Sequence, residues 1–168
     1  LSNAKFPVFL NGGGVVLGGA IEASIALAER LDAPVCCNYQ HNDAFPGSHP
    51  LFAGPLGYNG SKAGMNIISK ADVVLALGNR LNPFSTLPCY GIKYWPTDAA
   101  IIQVDINPDR IGLTHPITLG IVGDAGKVAS SILEQLSDTA GDAGREERKA
   151  AVAQAKADWE ERRAKGED

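Results

Sequence analysis

Cysteine is scarce, with only Cys36, Cys37 and Cys89 in 168 residues. No pair stands in C-x-x-C spacing, so neither a disulfide framework nor a four-cysteine zinc module is encoded. Buried free thiols suit a reducing compartment, which reads as cytoplasmic. No apolar run approaches the roughly 20 residues that a bilayer span needs, and no signal peptide is visible at the N-terminus. A basic excess is also missing: the net charge is −4, which gives no face for nucleic acid. The three histidines, His41, His49 and His115, have no acidic or thiol partner at ligand spacing, so no metal set is read. Neither a GxGxxG fingerprint, a GK[ST] phosphate loop nor a G-x-S-x-G elbow occurs.

What is there is an apolar chain, 45% hydrophobic, with short strand-like runs between helical patterns. Residues 6–10, 34–38, 72–77, 100–106 and 117–122 are continuous apolar runs rather than alternating ones. Strands of that kind are covered on both faces. Helical spacing appears over 17–31, over 61–70 with Ser61 as N-cap, and from an Asp124 cap to Leu136. The alternation predicts an α/β, doubly wound, mainly parallel sheet with helices on both faces. Cys36 and Cys37, adjacent in one strand, are expected to face opposite sides of it. Residues 39–60, rich in glycine and proline, read as one long loop.

Charge divides the chain. Nineteen charged side chains fall in residues 1–141 and fifteen in 142–168. Residues 1–5 read as a lead-in containing the tag-like remnant Ser2-Asn3-Ala4, 6–136 as the α/β domain, and 137–144 as a small-residue linker. Residues 145–168 read as a charged helical tether toward a further domain. Its apolar stripe, Val152, Ala155 and Trp159, is thin, so few contacts with the body are expected.

Three strand ends carry candidate chemistry. Gly12, Gly13 and Gly14 follow the first strand, where a helix N-terminus can receive phosphate or where the turn is simply tight. Gly78-Asn79-Arg80 closes the third, and Asp105-Ile106 the fourth. Ligands of open α/β sheets bind at such ends. Arg80 can grip a phosphate and Asp105 ribose hydroxyls; alternatively the two pair with each other.

These pieces, in order, resemble the central domain of the acetolactate-synthase-like thiamine-diphosphate enzymes. The resemblance runs from the glycine turn through Phe45-Pro46, His49-Pro50-Leu51 and Gly57-Tyr58-Asn59-Gly60. It continues through residues 71–78 with Arg80, residues 104–108 with Ile111-Gly112, and Val122-Gly123-Asp124. Within the family, residues 38–50 and 80–88 are most similar to the sulfoacetaldehyde acetyltransferase branch. The resemblance implies a non-catalytic segment of a homo-oligomeric enzyme that acts on a small-molecule substrate. Thiamine diphosphate and magnesium would be held by other domains. It further implies a nucleotide cleft lined by Gly12, Gly13, Gly14, Asn38, Tyr39, Gln40, Gly57, Tyr58, Asn59, Gly78, Asn79, Arg80, Asp105, Ile106 and Asp124. Relatives that hold FAD carry a second arginine four residues after the first. Phe84 stands there instead, which disfavours FAD and leaves room for an adenine nucleotide. An acetolactate synthase, a stand-alone flavoprotein and an NAD-dependent deacetylase are the competing classes. The last lacks its cysteine module here.

Overall fold

The computed structural model describes residues 1–166. Six parallel strands form one sheet in the order β3-β2-β1-β4-β5-β6. They are β1 (Pro7–Asn11), β2 (Val35–Cys37), β3 (Phe52–Pro55), β4 (Val73–Leu77), β5 (Ala100–Asp105) and β6 (Leu119–Val122). Five helices connect and cover them: α1 (Gly13–Leu17), α2 (Ile21–Leu31), α3 (Lys62–Ile68), α4 (Ala125–Gln135) and α5 (Arg145–Lys165). Helices α1, α2 and α4 pack together, as do α3 and α5. The doubly wound architecture read from the sequence is therefore the one observed.

The pleat splits each strand between two cores. Phe9, Val35, Cys37, Leu75, Leu77 and Val104 join the core beneath α2 and α4. Val8, Leu10, Cys36, Val74, Ala76 and Ile101 join the other, with Met65 and Ile68 of α3. Cys36 and Cys37 thus lie on opposite faces. Burial pushes both thiols up in pKa, Cys37 to about 12.

Three local readings are corrected. The 39–60 stretch is not a single loop, because it contains β3, paired in parallel with β2. This edge strand has only four residues, and Gly54 adopts φ +118°, so no apolar period announces it. The pattern over 17–31 is two helices, since Gly18 ends α1 and Gly19 turns at φ +61° before α2 begins. The run at 117–122 pairs only from Leu119. Both expected caps hold: Ser61 Oγ accepts from the Gly64 N–H and Asp124 Oδ1 from the Lys127 N–H.

The C-terminal segment is fastened more firmly than its charge implies. Arg148 is fully buried, and its guanidinium donates to the carbonyls of Lys5, Leu31, Asp32, Gly141 and Ala143. Arg30 donates to the carbonyls of Ser137, Asp138 and Ala140, so residues 137–144 are strapped to the body. Val152 is buried in the α3-side core. The expected scarcity of contacts is overturned: Arg148, one turn before Val152, extends the stripe with a cation whose partners are all carbonyls. Ala4, in the presumed lead-in, is buried too.

Candidate functional site

Strand order reverses between β1 and β4, where the chain leaves the two central strands in opposite directions. Such a switch point opens a crevice beyond the carboxyl ends of the strands. A cleft of about 440 Å³ lies here, within the range of small-ligand sites. Of the residues implied by resemblance, Gly13, Gly14, Asn38, Tyr39, Gln40, Gly78, Arg80, Asp105, Ile106 and Asp124 line it.

The glycines let backbone approach backbone. A Cβ on Gly12 would sit 2.5 Å from the Gly78 carbonyl oxygen, and one on Gly14 would sit 2.7 Å from Gly78 Cα. The Gly14 N–H already donates to the Gly78 carbonyl at 2.9 Å, and α1 has only five residues. The turns after β1 and β4 are therefore packed backbone against backbone, which closes the switch point tightly. Gly78, at φ +55°, is required by both its conformation and its contacts.

Five implied residues lie outside the cleft. Gly12 is spent on the contact just described. Asn79 is buried, donating to the Leu10 carbonyl and accepting from the Leu81 N–H. Gly57 and Asn59 shape a turn, at φ +87° and +56°, that packs on Phe84 and Ser85, with the Tyr58 N–H donating to the Phe84 carbonyl. Tyr58 belongs to an adjoining recess with Tyr39, Gln40, Arg80, Asn82 and Phe84. There the Tyr39 and Tyr58 rings meet edge to face at 5.8 Å.

The structure adds residues that no sequence period marks. Leu17, Gly18, His41, Asn82, Ser85, Asn107, Arg110, Gly123 and Ala125 complete the lining. Leu17 and Ile106 are 88% and 72% exposed, an unusual pair of apolar side chains at a cleft rim. Arg110 ends the helical turn Pro108–Arg110, which is set by Asx contacts. The Asn107 N–H donates to Asp105 Oδ1, and the Asp109 N–H donates to Asn107 Oδ1. Gln103, buried in apolar β5, donates to the carbonyls of Asn79 and Arg110 and so ties two cleft walls together. A buried glutamine in such a strand was the visible signal for that tie. Arg80 and Asp105 do not pair with each other among the described residues; Asp105 Oδ1 accepts from the Asn107 N–H.

At the other end, Asn11 is buried and donates to Ser24 Oγ at 2.8 Å and to the Ala44 carbonyl at 3.0 Å. This holds the 38–44 segment over β1. Asn38 is 7% exposed, and its Oδ1 has no hydrogen-bond partner. Asn11 Oδ1 is buried without a partner in the same way.

Among the described residues no three His, Cys, Asp or Glu side chains converge to hold a metal ion. The donor set here does not fit a metal-bound diphosphate. No helix among them is long and apolar enough to cross a membrane.

Comparison with known proteins matches residues 1–136 to the family model described as "Thiamine pyrophosphate enzyme, central domain". A sulfoacetaldehyde acetyltransferase from Roseovarius nubinhibens is 77% identical over 95% of this chain and 26% of its own length. A probable acetolactate synthase large subunit from Methanocaldococcus jannaschii is 38% identical over 81% of this chain and 22% of its own. A solved structure of a thiamin diphosphate-dependent enzyme from Mycobacterium smegmatis superposes with a TM-score of 0.67 at 32% identity. That match covers 84% of this chain and 27% of the other. The chain spans about a quarter of the length of the curated relatives it matches.

Proposed function

The chain belongs to the central-domain family of thiamine pyrophosphate enzymes, and from that premise we propose that it is the middle segment of a sulfoacetaldehyde acetyltransferase. The complete enzyme would convert sulfoacetaldehyde and phosphate into acetyl phosphate and sulfite. The likeness to the Roseovarius protein along nearly the whole chain carries this reading. Thiamine diphosphate supplies the carbanion chemistry when bound, and with magnesium it is held by the parts of the enzyme outside this segment. The same reading makes the complete protein a cytoplasmic homo-oligomer without nucleic-acid or membrane partners.

This segment's own contribution is binding and architecture. Its cleft suits an adenine nucleotide. The exposed Leu17 and Ile106 offer apolar faces to the base. Asp105, at the end of β5, accepts from ribose hydroxyls, and Arg80 grips the diphosphate. FAD is disfavoured, since Phe84 offers an exposed ring where FAD-holding relatives place a cation.

The full-length protein tests the first claim. With thiamine diphosphate, Mg²⁺, phosphate and sulfoacetaldehyde it releases sulfite; condensation of pyruvate without sulfite release would instead support an acetolactate synthase, the reading favoured by the Methanocaldococcus likeness. Acid extracts of the purified protein contain no stoichiometric flavin; finding it would refute the cofactor reading.

A further inference from the structure

The two edges of the sheet differ in how they are guarded. At one edge, β3 holds Gly54 at φ +118° and ends at Pro55, its register against β2 slips, and α5 packs against it. Features of this kind keep a further strand from adding to a sheet. At the other edge β6 has no proline, and from Ile111 to Gly123 the sequence contains no Asp, Glu, Lys or Arg. His115, the one imidazole in that stretch, is turned to Thr86 and Trp95. Leu119 and Val122 are 52% and 58% exposed. An apolar edge without charge is built to be covered.

The ladder fixes which backbone groups are free. Val122 stands opposite Asp105, whose carbonyl accepts from the Gly123 N–H. Backbone groups alternate sides along a strand, so Leu119 and Ile121 face β5 while Gly120 and Val122 aim their N–H and C=O away from the sheet. Thr118, ahead of the strand, bonds the Ile101 carbonyl before this phase begins. An antiparallel second β6 satisfies both outward residues when Gly120 stands opposite the partner's Val122. That register sets Ile121 against itself on a two-fold axis and Leu119 against the partner's Gly123. Each large side chain meets a glycine or its own mate, and no charge meets its like. Gly120 cannot carry a side chain in any case, since a Cβ there would lie 2.3 Å from Ile111 Cγ2, so the place opposite Val122 stays open. We propose that β6 pairs antiparallel with β6 of a second copy of this chain, joining two six-stranded sheets across a two-fold axis. The self-complementary run Leu119-Gly120-Ile121-Val122-Gly123 is what selects a second copy over an unrelated partner.

Sedimentation equilibrium of this chain tests it. One strand pair and its side chains make a small contact, so the dimer is weak, and the mass rises from 17.6 kDa toward twice that value over about 10–500 µM. Leu119→Lys and Val122→Lys, both at exposed positions, keep the circular dichroism spectrum and raise the dissociation constant at least about tenfold. Cysteine reads the register, in a Cys89→Ser background. Residues paired across the axis as Ile121 would be have Cα atoms about 4.5 Å apart, within reach of a disulfide. Ile121→Cys therefore crosslinks two chains under mild oxidation faster than Val122→Cys, although Val122 is the more exposed. A monomer at every concentration, association past two copies, a dimer that the lysine variants leave unchanged, or faster crosslinking by Val122→Cys overturns the inference.

Discussion

Replacing Arg148 with methionine removes a buried cation while keeping much of its apolar stem. Five carbonyl oxygens then lose their donor. Those of Leu31 and Gly141 sit where water does not reach, whereas those of Lys5, Asp32 and Ala143 are partly exposed and can be rehydrated. Each stranded buried acceptor costs about 1–3 kcal/mol, which puts the loss from two of them near 2–6 kcal/mol. No carboxylate touches the guanidinium, so its removal also relieves a desolvation that Asp32 and Asp72 offset only in part, the same effect that pushes its pKa down. That relief offsets part of the loss and leaves about 2–4 kcal/mol. For a chain of this size the melting temperature falls by about 5–15 °C. Thermal unfolding followed by circular dichroism reads the shift, and amide exchange reads where the structure loosens. Residues 137–152 should lose protection before the strands do. A melting temperature within about 1 °C of the parent, with unchanged exchange in α5, would refute the argument that this one side chain clasps the C-terminal helix to the body.

Folded protein should react at Cys89 and not at Cys36 or Cys37 with iodoacetamide near pH 8. Cys89 is half-buried, whereas burial keeps the other two thiols protonated, Cys37 with a pKa of about 12; mass spectrometry showing equal labelling of all three would contradict this. His115 accepts or donates a hydrogen bond with Thr86 Oγ1 at 2.8 Å beside Trp95, and burial lowers its pKa below 6.5. The unfolded chain therefore binds the extra proton first, so this group's contribution to stability is full above pH 6.5 and declines as pH falls toward the folded value. Urea midpoints between pH 7 and pH 5 should drop less in His115→Gln than in the parent, and an equal drop would exclude His115 as the source. Gly78→Ala places a Cβ 2.7 Å from Gly14 carbonyl carbon at φ +55°, so the variant should lose more than about 1 kcal/mol of stability in the same assay.

The sheet was legible where strands are buried on both faces. β1, β4 and β5 are runs such as Val73-Val74-Leu75-Ala76-Leu77, whose burial leaves no polar alternation to confuse the reading. β3 was not legible, because an edge strand containing Gly54 and ending at Pro55 carries the composition of a loop. The Arg148 clasp was hidden for the opposite reason: its partners are backbone carbonyls, and backbone leaves no mark in the sequence. In the cleft, resemblance brought together Asn38, Tyr39, Arg80, Asp105 and Asp124, all at strand ends. Gly12, Asn79 and Gly57 do not line the cleft: the two glycines let turns pack, and Asn79 bonds the Leu10 carbonyl and the Leu81 N–H. Arg110 was missed because its position depends on the Asx turn at Asn107 and on the grip of Gln103, neither of which has a periodic signature.

Titration of this chain with thiamine diphosphate and Mg²⁺, alongside ADP, tests most directly whether it is a nucleotide-cleft segment rather than the seat of the chemistry. The account predicts saturable heat with ADP, none with thiamine diphosphate and Mg²⁺, and no sulfite when sulfoacetaldehyde and phosphate are added. A micromolar Kd for thiamine diphosphate, or sulfite released by this chain alone, would contradict it.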